Sequence, residues 1–275
     1  MTTALRPLTT GELLDRTFSL YRYHFGLFIG IYSLPHLAVL AFSLWGVVVR
    51  PYGPNLRNIA TLMAWAWGTI FVSMIFSAVA QAATVVAVSE VHLDRPASVF
   101  GSFSRIKGHI LGVVFLSLLI TIFAGAACIA LIVPGVLLFL MWSLAVQAKV
   151  LEDKGIFDSM SRSMDLTKGS RGRIFVIWLL FALLSFGINW LVQWPITEAA
   201  GVSSRGAIIR ASMMWQVISQ TAGFISQILV GPLVTIALSL VYYDQRVRKE
   251  AFDLQLMMST LDATPAPGSP AQVGA

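Results

Sequence analysis

The sequence predicts an all-α fold, a polytopic membrane protein whose six-helix transmembrane bundle carries amphipathic helices at the cytoplasmic interface. Three observations lead there. Apolar residues make up 57% of the 275 residues and charged residues 12%, against about 45–50% and about 25% in soluble domains. The charges are clustered, and five uncharged stretches (23–49, 58–89, 108–148, 174–197 and 211–243) lie between the clusters, each longer than the roughly 18 residues that mark a membrane-crossing helix. Segments flanking these stretches place apolar residues at helical spacing with charges on the other face. Together these exclude a soluble domain, a disordered chain and a disulfide-stapled module, the last also because Cys128 is the only cysteine.

The first element is an amphipathic helix with a stripe of Leu14, Phe18, Tyr21 and Phe25, entered through Thr9 and Glu12, which have the spacing of a capping box. The charges Arg6, Glu12, Asp15, Arg16 and Arg22 leave this segment no apolar core, so it does not read as a cleavable signal peptide. The first two spans follow over 25–49 and 60–89. A second amphipathic helix carries Val99, Phe103, Ile106 and Ile110. The stretch 108–148 would be about 60 Å long as one helix, twice the roughly 30 Å hydrocarbon thickness. It must turn back, and Pro134-Gly135 is the expected place, because Pro is tolerated in the first turn of a helix. Spans over 109–130 and 134–151 result.

A third amphipathic helix holds Ile156, Met160 and Met164, with Gly169 as its stop. Spans over 174–195 and 212–243 complete the six, and Pro232 is expected to kink the last. Residues 100–105 (Phe-Gly-Ser-Phe-Ser-Arg) match 157–162 (Phe-Asp-Ser-Met-Ser-Arg), which suggests three repeated units of interfacial helix plus helical hairpin. The last span continues into a charged helix with i, i+4 pairs Asp244–Arg248, Arg246–Glu250 and Lys249–Asp253 and an apolar stripe of Val247, Ala251, Leu254 and Met258. Residues 259–275, rich in Ala, Pro, Gly and Ser, read as a disordered tail.

Six crossings put both termini on one side. The segments on that side hold 15 Lys and Arg, the alternate loops 4, which predicts that the termini are cytoplasmic and the protein is a multi-pass resident of the cell (inner or plasma) membrane. Trp45, Tyr52, Trp65, Trp67, Trp190, Trp194 and Trp215 fall near the outer span ends, and Tyr21, Tyr23, Trp178, Tyr242 and Tyr243 near the inner ones, as interface belts do. The formal charge of +6 is thus explained by topology and not by nucleic acid.

No phosphate-cradling loop, zinc-protease motif, nucleophile elbow or cysteine pair is present. The four histidines are scattered, and no span carries Asp, Glu, Lys or Arg near its centre. No catalytic residue, metal site or cofactor is therefore expected, and the chain does not read as an enzyme. His36, at mid-span after Pro35, is the one intramembrane ionisable candidate. Its functional reading is a proton carrier or substrate contact. Its structural reading, the preferred one, is a neutral imidazole bonded to a carbonyl freed by Pro35 or to a neighbouring helix.

Polar stripes run along the sixth span (Gln216, Gln220, Gly223, Gln227, Gly231, Thr235, Ser239) and the second (Ser73, Ser77, Gln81, Thr84). They read either as a hydrated path or, preferably, as helix-packing surfaces, like Gly26-x-x-x-Gly30 and the series Ser117, Thr121, Gly125. Arg162, Lys168, Arg171, Arg173, Arg246, Arg248 and Lys249 are candidate cytoplasmic contacts for anionic lipid headgroups or a protein partner.

Several motifs resemble one family. Arg6-Pro7-Leu8 with Leu13-Leu14-Asp15-Arg16-Thr17-Phe18 and Tyr21-Arg22 is similar to the opening of the membrane domain of bacterial glycerophosphoryl diester phosphodiesterases. So are Ile132-Val133-Pro134-Gly135, Val150-Leu151-Glu152-Asp153, Ser161-Arg162-Ser163 with Leu166-Thr167-Lys168-Gly169, and Tyr242-Tyr243-Asp244 with Arg246, Arg248-Lys249-Glu250 and Phe252-Asp253. In that family hydrolysis belongs to a separate soluble domain. The resemblance therefore implies a stand-alone membrane domain, without the catalytic domain, to which hydrolysis does not carry over. The preferred function is a non-catalytic integral membrane protein in an accessory, scaffolding or lipid-associating role. The alternative is a small-solute or lipid transporter using the polar faces of the second and sixth spans. Transport requires Gln81, Gln220 and Gln227 to share a wet cavity; scaffolding requires them to be buried between helices.

Overall fold

The computed structural model describes residues 8–49, 56–199 and 213–250. Among them are ten helices and no strand: α1 (Thr10–Tyr23), α2 (Phe25–Val49), α3 (Leu56–His92), α4 (Val99–Ile106), α5 (Ile110–Ala130), α6 (Ile132–Met141), α7 (Ala145–Glu152), α8 (Ile156–Thr167), α9 (Arg171–Ala199) and α10 (Met213–Glu250). Helix is the form in which a chain satisfies its own backbone polar groups inside lipid. Six segments are long and apolar enough to cross a membrane, α6 and α7 together making the fourth. This is a multi-pass membrane protein.

The amphipathic helices α1, α4 and α8 each precede a pair of spans. The Thr9–Glu12 capping box forms in full, each side chain bonding the other residue's backbone N–H. On α1 the fully buried positions are Leu13 and Thr17, one residue round from the expected stripe, while Phe18 and, at the start of α2, Phe25 are exposed. Its start bonds Asp244, and Tyr21 donates to the Leu229 carbonyl at 2.7 Å. Those two positions are 15 residues apart on α10, about 22 Å, so α1 leans along the sixth span. Helices α4 and α8 lie against α3 and α7 in the same way, each following the even-numbered span that precedes it.

The repeat is visible in three dimensions. Each of these two linkers turns through an Asp in the left-handed region, Asp94 (φ 53°) and Asp153 (φ 50°), a conformation that Asp tolerates better than most residues. The Ser102 and Ser159 hydroxyls donate to the carbonyls four residues back. Arg105 pairs with Glu90 and Arg162 with Glu152, each acid closing the preceding span. The matched aromatics Phe100 and Phe157 both face outward.

The fourth span departs from expectation in two ways. The chain turns at Leu131, which is extended, so Pro134 sits inside the first turn of α6 instead of at the hairpin itself. Gly135 is needed for contact: a Cβ there would lie 2.5 Å from the Cys128 backbone N, so α5 and α6 close together only without one. The span then breaks between Met141 and Ala145, where one helix over 134–151 was expected. The freed groups are taken up by α8: Ser163 accepts from Leu144 N–H at 3.1 Å and donates to the Met141 carbonyl at 2.7 Å. A broken helix at membrane depth is tolerated where neighbouring hydroxyls satisfy its backbone in this manner.

Burial is uneven along the bundle. The core gathers where residues 78–90 of α3, 233–245 of α10, α7 and α8 meet, and there α10 is buried almost continuously. Toward the opposite ends of α3 and α10 most positions are half-buried or exposed, with Trp45, Trp67, Trp190 and Trp194 facing outward. Helix α10 is continuous through Pro232. Residues 251–275, with Asp253, the distal part of the expected stripe and the expected disordered tail, lie outside the described residues.

Candidate functional site

Two cavities open in the looser half of the bundle. One, of about 260 Å³, lies among α2, α3, α9 and α10 and is lined by Tyr32, Gln81, Asn189, Gln227 and Thr235. The other, of about 300 Å³, is lined by His36, Ser43, Thr69, Ser73, Gln220 and Gln227. Ser77 and Gln227 belong to both, so they adjoin. From Gln220 to Thr235 the lining covers 15 residues of α10, about 22 Å of axial rise, against a hydrocarbon thickness of roughly 30 Å.

The polar stripe on α10 is what turns this helix face into a wall. Gly223 and Gly231 belong to it, and a Cβ at Gly231 would meet the Tyr32 ring at 2.4 Å. Glycine there lets Tyr32 lie against α10 and reach Thr235, hydroxyl to hydroxyl, at 2.8 Å. Gln81 from the stripe of α3 faces the first cavity and Gln220 the second, with Gln227 in both. These three amides and Asn189 make no hydrogen bond among the described residues. Gln216, from the same stripe, lines neither cavity.

His36 is buried and doubly bonded. Its Nδ1 lies 2.9 Å from the Tyr32 carbonyl and its Nε2 3.3 Å from Ser77 Oγ, with the Tyr32 ring stacked at 5.4 Å. A carbonyl only accepts, so Nδ1 carries a proton; Nε2 can then accept from Ser77, which satisfies a neutral imidazole at both nitrogens. The carbonyl is that of Tyr32, not the one Pro35 frees, which belongs to Ile31 four residues before the proline. Of the small-residue motifs, Gly30 sits against Val99 of α4, whereas Gly26 and Gly125 have open space around them.

At the other end the basic residues divide into two sets. Asp244, its side chain wholly buried, accepts from Arg173 at 2.5 Å and Arg248 at 2.9 Å. Glu152 accepts from Arg162 and from the Tyr242 hydroxyl at 2.6 Å, while Glu250 takes Arg162 and Arg246. Burial opposes the charge on Arg162, but its hydrogen bonds to Glu152 and Glu250 and their carboxylate charges outweigh this and raise its pKa. Lys168, Arg171 and Lys249 form no ion pair among the described residues; the Lys249 ammonium instead donates to the Asp165 and Lys168 carbonyls at 2.5 and 2.7 Å.

Several participants were not singled out in the sequence. Ser185 and Asn189, four residues apart on α9, continue to Gln193, which exchanges hydrogen bonds with Ser219. The spacing rule that revealed the stripes on the second and sixth spans finds this one too. Ser163, by contrast, carries no local signal, because its role depends on a break in another helix. Among the described residues no three His, Cys, Asp or Glu side chains gather to hold a metal. The cavities offer hydrogen-bonding side chains and apolar surface. Compared with protein-family models, curated proteins and solved structures, the chain matches none.

Proposed function

We propose that this protein is a non-catalytic carrier that takes a small solute, or the polar part of a lipid, into the chamber between its first, second, fifth and sixth spans. The supporting observation is the placement of Gln81, Gln220 and Gln227 around two adjoining cavities, with no hydrogen bond to their amides among the described residues. Amides that serve packing bond to the neighbouring helix, as Gln193 and Ser219 do here. Amides left open beside unfilled space suit a ligand. On this reading both termini are cytoplasmic in the cell membrane: the segments on their side hold 15 of the 19 Lys and Arg, and Leu8 bonds Asp244.

A labelling scan tests it. In a Cys128→Ser background, Gln81→Cys, Gln220→Cys and Gln227→Cys should each react with a water-soluble maleimide in nanodiscs, while a buried control, Leu116→Cys, should not. Folded protein in which none of the three reacts would reduce the chamber to packing space.

A second reading is favoured by Lys168, Arg171 and Lys249, three cations that form no ion pair among the described residues. In it the chain is an accessory, lipid-associating membrane domain related to that of the glycerophosphoryl diester phosphodiesterases. Anionic headgroups of the cytoplasmic leaflet, or a membrane or cytoplasmic protein, would be its partners, and nucleic acid would not. The two readings are compatible, since the chamber lies along Gln220–Thr235 of α10 and Lys168 meets Lys249 at the far end of that helix.

A further inference from the structure

The charge of the chamber narrows what it can hold. None of the residues lining either cavity is Asp, Glu, Lys or Arg. An ion brought there would lose its water without gaining a counter-charge, at a cost of several kcal/mol for each charge near the bilayer centre. The two ionisable side chains on the wall are already engaged, His36 at both nitrogens and Tyr32 through its hydroxyl to Thr235. A neutral solute meets a smaller barrier, and the open amides can offset it.

Those amides also select by hydrogen-bonding type. Gln81, Asn189, Gln220 and Gln227 each bring two N–H donors and one carbonyl acceptor. A solute that only accepts would leave the carbonyls unpaired, and one that only donates would strand the N–H groups; either loss is expensive once the bound solute has displaced the water there. Hydroxyl and amide groups do both. Between the polar positions, Val39, Leu40, Phe224, Val230 and Val234 present apolar surface to a carbon skeleton. Cavities of about 260 and 300 Å³ have room for a small molecule.

We infer that the chamber binds an uncharged, hydrogen-bonding solute of the polyol or carboxamide class and rejects ions of either sign, with Gln81, Gln220 and Gln227 as its ligating side chains. This rests on the chamber being open to water, as proposed above.

Ser77 borders both cavities and is not one of the ligating amides, so Ser77→Cys on the Cys128→Ser background serves as reporter. Its rate of maleimide labelling in nanodiscs is measured with erythritol, acetamide, potassium chloride or choline chloride at equal osmolarity. Erythritol and acetamide should slow labelling and the salts should not. Adding Gln227→Leu should weaken that protection by about tenfold, the effect of one lost hydrogen bond, with Gln81→Leu doing the same if Gln227→Leu fails to give a monodisperse protein. Equal protection by salts, labelling that proceeds with no protection by either neutral solute, or protection that survives both leucine variants would each overturn the inference while leaving a wet chamber intact. A folded protein whose Ser77→Cys thiol never reacts would instead remove the chamber reading, and the inference with it.

Discussion

Arg173 Nη1 lies 2.5 Å from Asp244 Oδ2, tying the start of the fifth span to the end of the sixth. The rest of the chain's first described turn closes around this pair. The Leu8 N–H donates to Asp244 Oδ1 at 2.7 Å, and the Leu8 carbonyl accepts from Arg173 at 3.0 Å and Arg248 at 2.6 Å. Glu90 and Glu152 end the second and fourth spans and bind Arg105 and Arg162 of the next amphipathic helix. Asp244, near the end of the sixth, binds the approach to the first amphipathic helix instead. The three units thereby close into a ring at their charged end.

The Asp244 carboxylate is wholly buried, whereas Arg248 is 39% exposed. Removing one partner from a buried ion pair strands the other. Asp244→Asn should therefore destabilise the protein by about 3–5 kcal/mol, and Arg248→Ala by at most about 1 kcal/mol. Thermal unfolding in mild detergent, followed by loss of the monodisperse peak, measures both. Equal effects would mean that the ring carries no special weight.

What the sequence disclosed and what it withheld follow from the range of each interaction. Spans, their number and the amphipathic helices are periodic patterns within one segment, so the Thr9–Glu12 cap was visible, whereas the stripe of Leu14 and Phe18 was one residue, about 100° of helix, away from the buried Leu13 and Thr17. The polar wall was visible as a stripe, because Gln220, Gln227 and Thr235 recur on one face. Whether that face met a cavity or a helix was not visible, since it depends on how far α9 and α3 stand from α10. The Arg173–Asp244 pair joins residues 71 apart, and no local rule links them. The break after Met141 was hidden for the same reason: its backbone groups are satisfied by Ser163.

That break supplies the next test. Ser163 both donates and accepts across it, with the Thr167 hydroxyl 3.4 Å from the same Met141 carbonyl. Ser163→Ala leaves a buried N–H without a partner, at a cost of about 1–3 kcal/mol. Ser161→Ala, on the exposed face of α8, should be neutral. Amide hydrogen exchange should show faster exchange at Leu144 in the first variant alone.

Close approaches predict a contrast among glycines. A Cβ at Gly135 would press on the Cys128 backbone, which cannot rotate away, and one at Gly231 on the Tyr32 ring, which can. Gly135→Ala should cost the most, about 1–3 kcal/mol or more. Gly231→Ala should cost less and be partly rescued by Tyr32→Leu. Gly26→Ala and Gly125→Ala, with open space around them, should be neutral in the same thermal assay. A destabilising Gly26→Ala would put the GxxxG contact at a partner outside this chain.

Arg162 sets a pH dependence by its absence. Its pKa is raised, so the stability it contributes is fully present below the ordinary arginine value of the unfolded chain and is lost only as pH rises through the still higher folded value. Stability should then be insensitive to this residue from about pH 5 to pH 10. Arg162→Lys cannot fork between Glu152 and Glu250. It should lose about 1–3 kcal/mol and begin to weaken further as pH approaches about 10, where an ammonium titrates. Unfolding midpoints of both proteins across that range give the comparison.

The division of the basic residues can be read out with lipid. Four of the seven sequence candidates, Arg162, Arg173, Arg246 and Arg248, spend their charge on Glu152, Asp244 and Glu250. Lys168, Arg171 and Lys249 have no carboxylate partner among the described residues. A cation near a membrane surface adds about 1 kcal/mol of attraction to anionic lipid. Replacing all three with Gln should therefore weaken phosphatidylglycerol binding about a hundredfold, measured by native mass spectrometry, with little change in unfolding temperature. Raising the ionic strength should erode the wild-type affinity in the same direction, since these charges are exposed to screening. Arg173→Gln should do the reverse, lowering the unfolding temperature while the folded fraction keeps its lipid affinity within about threefold. If the paired arginines set lipid affinity instead, their carboxylate partners must open in the bilayer, and the ring closed by Asp244 would be a switch instead of a clasp.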